Sequence, residues 1–303
     1  MLIKDRFLVG APMQHTTINV NGRITSGEDA TVPVLDHGFL FGEGVYETLR
    51  TYSGKPFLLD RHLARLNSSA SSIGLSPSFS SSEISDQITK TIKAATSDSE
   101  YYIRVLLTRG IGELNYDPEP CKNPTTVIIV KPHFDNASQE QSDGIHTIVS
   151  SVIRNHPRAL NPLIKSNNLL NSALAMQEAL RNGATEALML NHRGEIAECA
   201  QSNFFLVQDG EALTPSLESG LLEGVTRNFL FEVGRSIGVS VRDTVLRQSD
   251  LETADEMFIT STTREVLPIT SIDGRAVNTG KPGALTIRLS KAFRTKALEL
   301  SAR

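Results

Sequence analysis

The sequence predicts an α/β or α+β protein with two domains. Three observations support this prediction: a length of 303 residues, short apolar strands that alternate with amphipathic helices, and a long polar stretch near the middle. A chain of this length usually divides into domains, because a single apolar core stops growing beyond about 250–300 residues. Residues 133–143 lack apolar periodicity, so we expect them to link a domain at 1–132 to a domain at 144–303.

Turn and capping residues mark the elements of the first domain. Asn21-Gly22 lies between two extended runs, and Ser53-Gly54 supplies a second hairpin turn. Asp60 is predicted to cap a helix that ends at Gly74. The other elements predicted here are a helix and two strands, at 81–95, 101–110 and 125–132.

A lysine precedes the best-marked helix of the second domain. Spacings of three and four predict an amphipathic helix with an apolar stripe formed by Leu169, Ala173, Met176 and Leu180. Asparagine favours helix caps, and three asparagines crowd the first turns: Asn167, Asn168 and Asn171. We therefore place Lys165 at a helix entrance, where helix amides and apolar surface stabilise an ammonium poorly. It is either a surface lysine or a reactive amine.

Further strands and two more helices fill the second domain. A helix that begins at Val225 is predicted to end at Gly238. The other predicted elements are a strand at 145–153, strand pairs at 186–200 and 203–215, and a final helix at 282–300.

Bulk properties narrow the functional classes. A net charge of −4, from 30 basic and 34 acidic residues, offers no electrostatic basis for nucleic-acid binding. No segment approaches eighteen apolar residues, and the first ten residues do not resemble a signal peptide, so we expect a cytoplasmic protein with no membrane partner. Cys121 and Cys199 are too few for a disulfide framework, and no Cys/His cluster predicts a metal site.

Three local patterns would act together if a phosphorylated, electron-poor ring were bound near Lys165. The amides of Val225 and Thr226 open a helix and could face an anion, although an ordinary capped helix has the same pattern. Arg61 has a planar fork that suits a phosphate, but an arginine in the first turn of a helix usually faces solvent. Glu198 lies in an apolar strand, so it needs a partner if it is buried and is a surface residue if it points outward.

Five stretches resemble, in their order, the class IV family of pyridoxal-phosphate-dependent aminotransferases. They are LDRHLARL, LIKSNNLLNSALA, GEIAECAQSNFFLV, GLLEGVTRNFL and TSTTREVLPI. That family includes branched-chain aminotransferases, D-amino-acid aminotransferases and aminodeoxychorismate lyases. The resemblance runs from about residue 15 to 275 and includes the 33 positions from Lys165 to Glu198 and the Glu-x-x-x-x-Asn pattern that ends at Asn203.

The resemblance implies a fold, a cofactor and residue roles. The implied fold is the two-domain fold type IV, with a small α/β domain and a larger domain of barrel-like β structure. Lys165 resembles the Schiff-base lysine of pyridoxal 5′-phosphate enzymes and would then move the substrate proton. Glu198 would pair with the pyridinium nitrogen. Five further residues would contact or support the cofactor: Arg61, Asn203, Val225, Thr226 and Thr262.

The resemblance leaves the substrate less settled. The residues implied on the substrate side are Tyr46, Tyr102, Arg104 and Thr263. Tyr102-x-Arg104 resembles a motif of branched-chain enzymes, but Phe41 and Leu170 replace tyrosines of that pattern. Residues 108–120 lack the Arg-x-His carboxylate trap expected in D-amino-acid enzymes.

We therefore predict a homodimeric transaminase that moves an amino group between an L-branched-chain amino acid and a 2-oxo acid such as 2-oxoglutarate. Three alternatives stay open. The first is an aminodeoxychorismate lyase, which releases pyruvate by β-elimination. The second is a D-amino-acid or (R)-amine transaminase. The third is a catalytically inactive binding protein on the same fold.

Overall fold

The computed structural model describes residues 15–77, 79–96, 100–133 and 137–302. The chain divides into two compact units, Met1–Phe134 and Asp135–Arg303. Each unit has its own β-sheet and its own buried apolar residues.

The first unit contains a six-stranded antiparallel sheet among the described residues. Its strands are β1 (Thr17–Val20), β2 (Arg23–Ser26), β3 (Gly44–Tyr52), β4 (Lys55–Pro56), β5 (Tyr101–Thr108) and β6 (Thr125–Pro132). They pair in the order β2-β1-β6-β5-β3-β4. Left-handed backbone at Asn21 and Gly22, with φ of 51° and 89°, forms the first hairpin turn. Ser53 and Gly54 form the second turn in the same way, which confirms both predicted hairpins.

The helices described in this unit are α1 (His37–Leu40), α2 (Leu59–Ser72) and α3 (Ser81–Ala94). Side chains alternate across a strand, so β3 directs Val45 and Leu49 into the apolar core. The predicted cap at Asp60 is wrong. Leu58, with φ of 50°, occupies the N-cap position without a side-chain hydrogen bond, and Asp60 lies inside the first turn. A carboxylate there still interacts favourably with the helix dipole, and Gly74, with φ of 60°, follows the end of α2 as predicted.

A buried carboxylate fastens α2 to the sheet. Glu47, on β3, accepts hydrogen bonds from Arg65 Nε at 2.6 Å and Arg65 Nη2 at 2.8 Å. His62 Nδ1 lies 2.7 Å from the same carboxylate. Burial alone raises the pKa of Glu47, but the Arg65 charge and the hydrogen bonds from Arg65 and His62 outweigh it and lower the pKa from 4.5 to about 2. Glu47 is therefore ionised in the folded chain at neutral pH.

The second unit contains a nine-stranded mixed sheet among the described residues, curled into a half-barrel. Its strands are β7 (Ile145–Val149), β8 (Glu186–Leu190), β9 (Ile196–Cys199), β10 (Asn203–Gln208), β11 (Glu211–Pro215), β12 (Val241–Thr244), β13 (Glu256–Ser261), β14 (Glu265–Ile272) and β15 (Arg275–Ala276). The order is β12-β11-β10-β13-β14-β7-β8-β9, with β15 paired to β14. β7 runs parallel to both of its neighbours, and β11 runs parallel to β12.

The helices described in this unit are α4 (Ala137–Asp143), α5 (Leu170–Arg181), α6 (Val225–Ser236), α7 (Asp250–Thr253) and α8 (Ala284–Ala302), with a 3₁₀ turn at Leu217–Ser219. α4 forms inside the stretch where the polar composition predicted no regular structure. α6 and α8 pack together through an edge-to-face contact of Phe229 and Phe293, with ring centroids 5.3 Å apart. None of the helices in the described part of the chain is both long and apolar enough to span a membrane.

α5 packs on β8 through small side chains rather than through the predicted apolar stripe. Ala175 and Ala179 are fully buried, whereas Ala173 is exposed and Leu180 is 54% exposed. The residues that these two alanines pack with are Ala184, Ala187 and Met189. The predicted stripe is wrong because the face of α5 that packs on the sheet carries Ala175 and Ala179, while Ala173 and Leu180 lie on an exposed face.

We expect Glu47→Gln to lower the free energy of unfolding by about 3–5 kcal/mol at pH 7, since it removes a buried charge that Arg65 pairs with. The folded-state pKa is depressed, so the stabilisation is present above pH 4.5 and is lost as the pH falls towards 2. Urea titrations at pH 7 and pH 3 should therefore show a smaller difference between wild type and variant at the lower pH.

The matched control is Glu119→Gln, because the Glu119 side chain is 82% exposed in an ion pair with Lys122. A difference between wild type and Glu47→Gln that is the same at both pH values would contradict the ionic role of Glu47.

Candidate active site

Lys165 lies in an irregular segment five positions before α5, not on the helix itself. It is half-buried. The N-cap of α5 is Leu169, which makes no side-chain capping bond, so the expected asparagine cap is wrong. Asn171 instead sits within the first turn and uses its side chain to hold the segment before Lys165. Its Nδ2 donates to the carbonyl of Ile153 at 2.8 Å, and its Oδ1 accepts from the Asn155 amide at 3.3 Å.

Glu198 is buried on β9, with 6% of its surface exposed, and its carboxylate has three donors among the described residues. Arg154 Nε donates to Oε1 at 2.7 Å, and the Leu222 amide donates to Oε2 at 3.1 Å. Asn203 Nδ2 lies 3.4 Å from Oε2. Burial raises the pKa of Glu198, while the charges of Arg154 and Lys165 and the Leu222 hydrogen bond oppose that shift. The surface interpretation of Glu198 is excluded.

Asn203 connects Glu198 to the turn that leads into α6. Besides its contact with Glu198, its Nδ2 donates to the carbonyl of Leu222 at 2.9 Å. Its Oδ1 lies so close to Gly224, the N-cap of α6, that a Cβ at Gly224 would approach it to 1.9 Å. Only glycine fits at this position, so the Gly224 backbone can lie directly against the Asn203 amide.

The N-terminus of α6 has the properties of an anion site. Val225 and Thr226 are buried in its first turn, the turn contains no acidic residue, and the N-cap makes no side-chain bond. Helix amides without capping partners favour a bound anion. Thr260, which pairs with Asn203 across β10 and β13, presents a buried hydroxyl with no hydrogen-bond partner among the described residues. Directly paired residues share a sheet face, so this hydroxyl lies on the Asn203 side.

Thr262 and Thr263 form the turn between β13 and β14 and are half-buried. A buried ion pair holds this turn, because Arg264 Nη2 donates to the Glu186 carboxylate. Ser202 Oγ donates to the same carboxylate at 3.0 Å. The turn is thus fixed to β8 by charge.

In the first unit, three of the predicted substrate residues share one sheet face. Arg104 Cζ lies 4.1 Å from the centroid of the Tyr46 ring, which is a cation–π contact. Tyr102 lies two positions from Arg104 on β5 and therefore on the same face. Lys131 Nζ lies 4.9 Å from the centroid of the Tyr102 ring. Arg61 is half-buried in the first turn of α2.

The Amino-transferase class IV family matches residues 44–272, which is most of the chain. The chain belongs to the class IV aminotransferase family. The family resemblance drawn from the five sequence stretches is therefore confirmed. The aminotransferase transfers an amino group between an amino acid and a 2-oxo acid, as a transaminase of the pyridoxal-phosphate-dependent class.

The relatives are named for two different substrate classes. A putative branched-chain-amino-acid aminotransferase of Methanocaldococcus jannaschii is 37% identical, over 91% of this chain and 95% of its own length. A D-alanine aminotransferase of Bacillus licheniformis is 33% identical, over 93% of this chain and 98% of its own length.

Solved structures confirm the predicted fold type IV. The Escherichia coli branched-chain amino acid aminotransferase superposes with a TM-score of 0.88 at 32% identity, covering 92% of this chain and 93% of that chain. The T.th. branched-chain amino acid aminotransferase with pyridoxamine 5′-phosphate superposes with a TM-score of 0.89 at 28% identity, covering 95% of each chain.

Sequence reasoning did not find several residues that shape this aminotransferase. Arg154 had no recognisable signal, because an arginine after a strand is usually solvated. Gly224 has no distinctive local pattern, because its contact with Asn203 depends on how α6 packs against β10. The Glu186–Arg264 pair joins residues 78 positions apart and has no local pattern.

Proposed function

We propose that this aminotransferase moves the amino group of an L-branched-chain amino acid to a 2-oxo acid such as 2-oxoglutarate, with pyridoxal 5′-phosphate attached to Lys165. The observation that carries the proposal is the buried Glu198 carboxylate, which is held by Arg154 and lies within the electrostatic influence of Lys165. A buried acid and a nearby lysine are the pair that a pyridine ring with an aldehyde requires.

The residues of the second unit fit that cofactor. Glu198 can accept from the pyridine nitrogen, and the absence of a side chain at Gly224 lets Asn203 pack against the turn that leads into α6. In the proposal, the amides and hydroxyl at Val225 and Thr226 bind the phosphate. Thr262 adds a further hydroxyl, and Arg61 is assigned to the phosphate from its sequence context alone.

Lys165 is proposed to act twice. Its Nζ would hold the cofactor covalently, and as a free amine it would move the proton from the substrate Cα to C4′ of the cofactor. Bound pyridoxal phosphate supplies an electron-poor ring that accepts the electron pair released at Cα. Glu198 supports this chemistry because its negative charge favours a protonated ring nitrogen.

The substrate assignment rests on the first unit and on the relatives. Arg104 stacked on Tyr46 supplies a guanidinium for the α-carboxylate beside apolar ring surface, and we also assign Tyr102 to this side. From the second unit, Thr263 is proposed as a further substrate contact. The Methanocaldococcus relative has a branched-chain name, which favours the same donors.

A D-amino-acid transaminase is the second candidate, since relatives named D-alanine aminotransferase cover nearly the whole chain. The sequence between 108 and 120 contains no Arg-x-His motif, which favours the L-selective proposal.

We also propose that the enzyme is cytoplasmic. Its two cysteines, Cys121 and Cys199, are free thiols, which suits a reducing compartment.

We also propose that the enzyme is a homodimer whose interface includes an apolar patch on the first unit. The patch consists of exposed large apolar residues, namely Val32, Val34, Leu35, Phe39, Ile111, Leu114 and Tyr116. Its two segments are joined, because the Gly112 amide donates to the Leu35 carbonyl at 3.3 Å. Phe39 is 73% exposed and Tyr116 is 81% exposed. Monomers rarely expose such a patch, so a second copy is the occupant that we propose.

Borohydride reduction of the enzyme with bound pyridoxal phosphate should fix the cofactor to the peptide that contains Lys165, as peptide mass spectrometry would show. Lys165→Ala should still bind the cofactor but transaminate roughly a thousandfold more slowly or worse, because the proton carrier is gone. Lys291→Ala, on the exposed side of α8, is the control and should behave as wild type. A label on another lysine would end the Lys165 assignment.

L-Leucine, L-isoleucine or L-valine should bleach the visible absorbance of the lysine-bound cofactor faster than any D-amino acid. Arg104→Ala should lower kcat/KM for these L-substrates about tenfold to a hundredfold, since one charge-assisted hydrogen bond is lost. Arg23→Ala, at an exposed arginine on β2, is the control. Rapid bleaching by D-alanine, with L-leucine inert, would support the second candidate instead.

Sedimentation at micromolar concentration should show a dimer, and Phe39→Glu combined with Leu114→Glu should convert it to a monomer, because the two carboxylates would be buried in an apolar interface. Leu298→Glu, at a 45% exposed residue of α8, should leave the dimer intact. A double variant that sediments as the wild-type dimer would place the interface elsewhere.

A further inference from the structure

Donors from the protein already use most of the hydrogen-bond acceptor positions of the Glu198 carboxylate. A carboxylate offers about four acceptor positions. Arg154 occupies one at Oε1, while the Leu222 amide and Asn203 occupy two at Oε2. One position is left to accept from a ring nitrogen, so the orientation of the carboxylate decides whether it can do so.

Arg154 is the only charged donor among these three. Its Nε contact with Glu198 at 2.7 Å has the length of a charge-assisted hydrogen bond, and its side chain is 13% exposed. The other two donors are a backbone amide and a neutral side-chain amide. Without Arg154, the carboxylate would lose its strongest partner while staying buried on an apolar strand.

Arg154 is itself fixed from two sides. Its backbone amide donates to the Leu190 carbonyl at 2.8 Å, which ties it to β8. Its Nη1 donates to Asn171 Oδ1 at 3.1 Å, in the first turn of α5. Asn171 in turn donates to the carbonyl of Ile153. The guanidinium therefore bridges the strand that carries Glu198 and the helix that follows Lys165.

We propose that Arg154 is a positioning residue that holds the Glu198 carboxylate in its charged form and directs its free acceptor position to the pyridine nitrogen of the cofactor. This inference rests on the proposed cofactor site. Arg154 touches neither substrate nor cofactor in this proposal and acts through Glu198. Burial raises the pKa of Glu198, and the Arg154 charge is the first of the effects that oppose this rise.

The test compares two probes on the apoenzyme, pyridoxal 5′-phosphate and an analogue whose ring nitrogen is replaced by carbon. The ratio of their dissociation constants reports the nitrogen contact alone, because general damage to the site weakens both probes equally. Wild type should bind pyridoxal phosphate about tenfold or more tightly than the analogue.

Arg154→Gln and Glu198→Gln should each bring the ratio close to one. The double variant should have the same ratio as Glu198→Gln alone, because Arg154 acts through Glu198. Arg154→Lys keeps a cation at this position and should restore most of the preference. Arg158→Gln, at an exposed arginine four positions away, is the matched control and should retain the wild-type ratio.

A wild-type ratio in Arg154→Gln, alongside a lost preference in Glu198→Gln, overturns the role of Arg154 and leaves the cofactor site standing. A wild-type ratio in both variants overturns the Glu198 assignment and this inference with it. If Arg154→Gln does not fold, Asn171→Ala replaces it. That change keeps the guanidinium but removes the anchor of Arg154 Nη1, together with the contacts of Asn171 with Ile153 and Asn155. It should lower the ratio about threefold or more, and an unchanged ratio would overturn the inference.

Discussion

A carboxylate buried in an apolar strand must keep its negative charge next to positive or hydrogen-bonding partners, and Glu198 imposes this constraint on the second unit. Three separate parts of the chain supply these partners: Arg154 after β7, Asn203 at the start of β10, and the Leu222 amide before α6. The close approach of Gly224 to Asn203 follows, because the amide must lie between Glu198 and the turn. The helix amides proposed to bind the phosphate are therefore positioned through the same carboxylate.

Arginine–carboxylate pairs support two of the segments that carry candidate site residues. Arg65 and Glu47 tie α2, which carries Arg61, to β3 in the first unit. Arg264 and Glu186 tie the turn of Thr262 and Thr263 to β8 in the second. A bidentate or buried guanidinium fixes direction as well as distance, which an apolar contact does not. The cost of desolvation is offset in each case by several donors on one carboxylate.

The relatives are named for two kinds of substrate, branched-chain amino acids and D-alanine. Both branched-chain and D-alanine aminotransferases match nearly the whole chain, so the family alone establishes transamination. Lys165 and Glu198 belong to the second unit, where the proposed chemistry is common to either substrate. Arg104 and Tyr46 belong to the sheet of the first unit, where we place the choice of amino acid. The proposal therefore assigns substrate preference and the proton transfer to different parts of the chain.

Sequence alone determined the elements that depend on neighbouring residues, such as the Asn21-Gly22 hairpin, the end of α2 at Gly74, and the family to which Lys165 and Glu198 point. Local backbone preferences and motif spacing are properties of a few adjacent residues. Tertiary structure alone decided that Leu58 rather than Asp60 caps α2, and that alanines rather than leucines bury α5. It also decided that Arg154 is the partner of Glu198, 44 positions away, because which charge meets a buried carboxylate depends on how distant strands and helices pack.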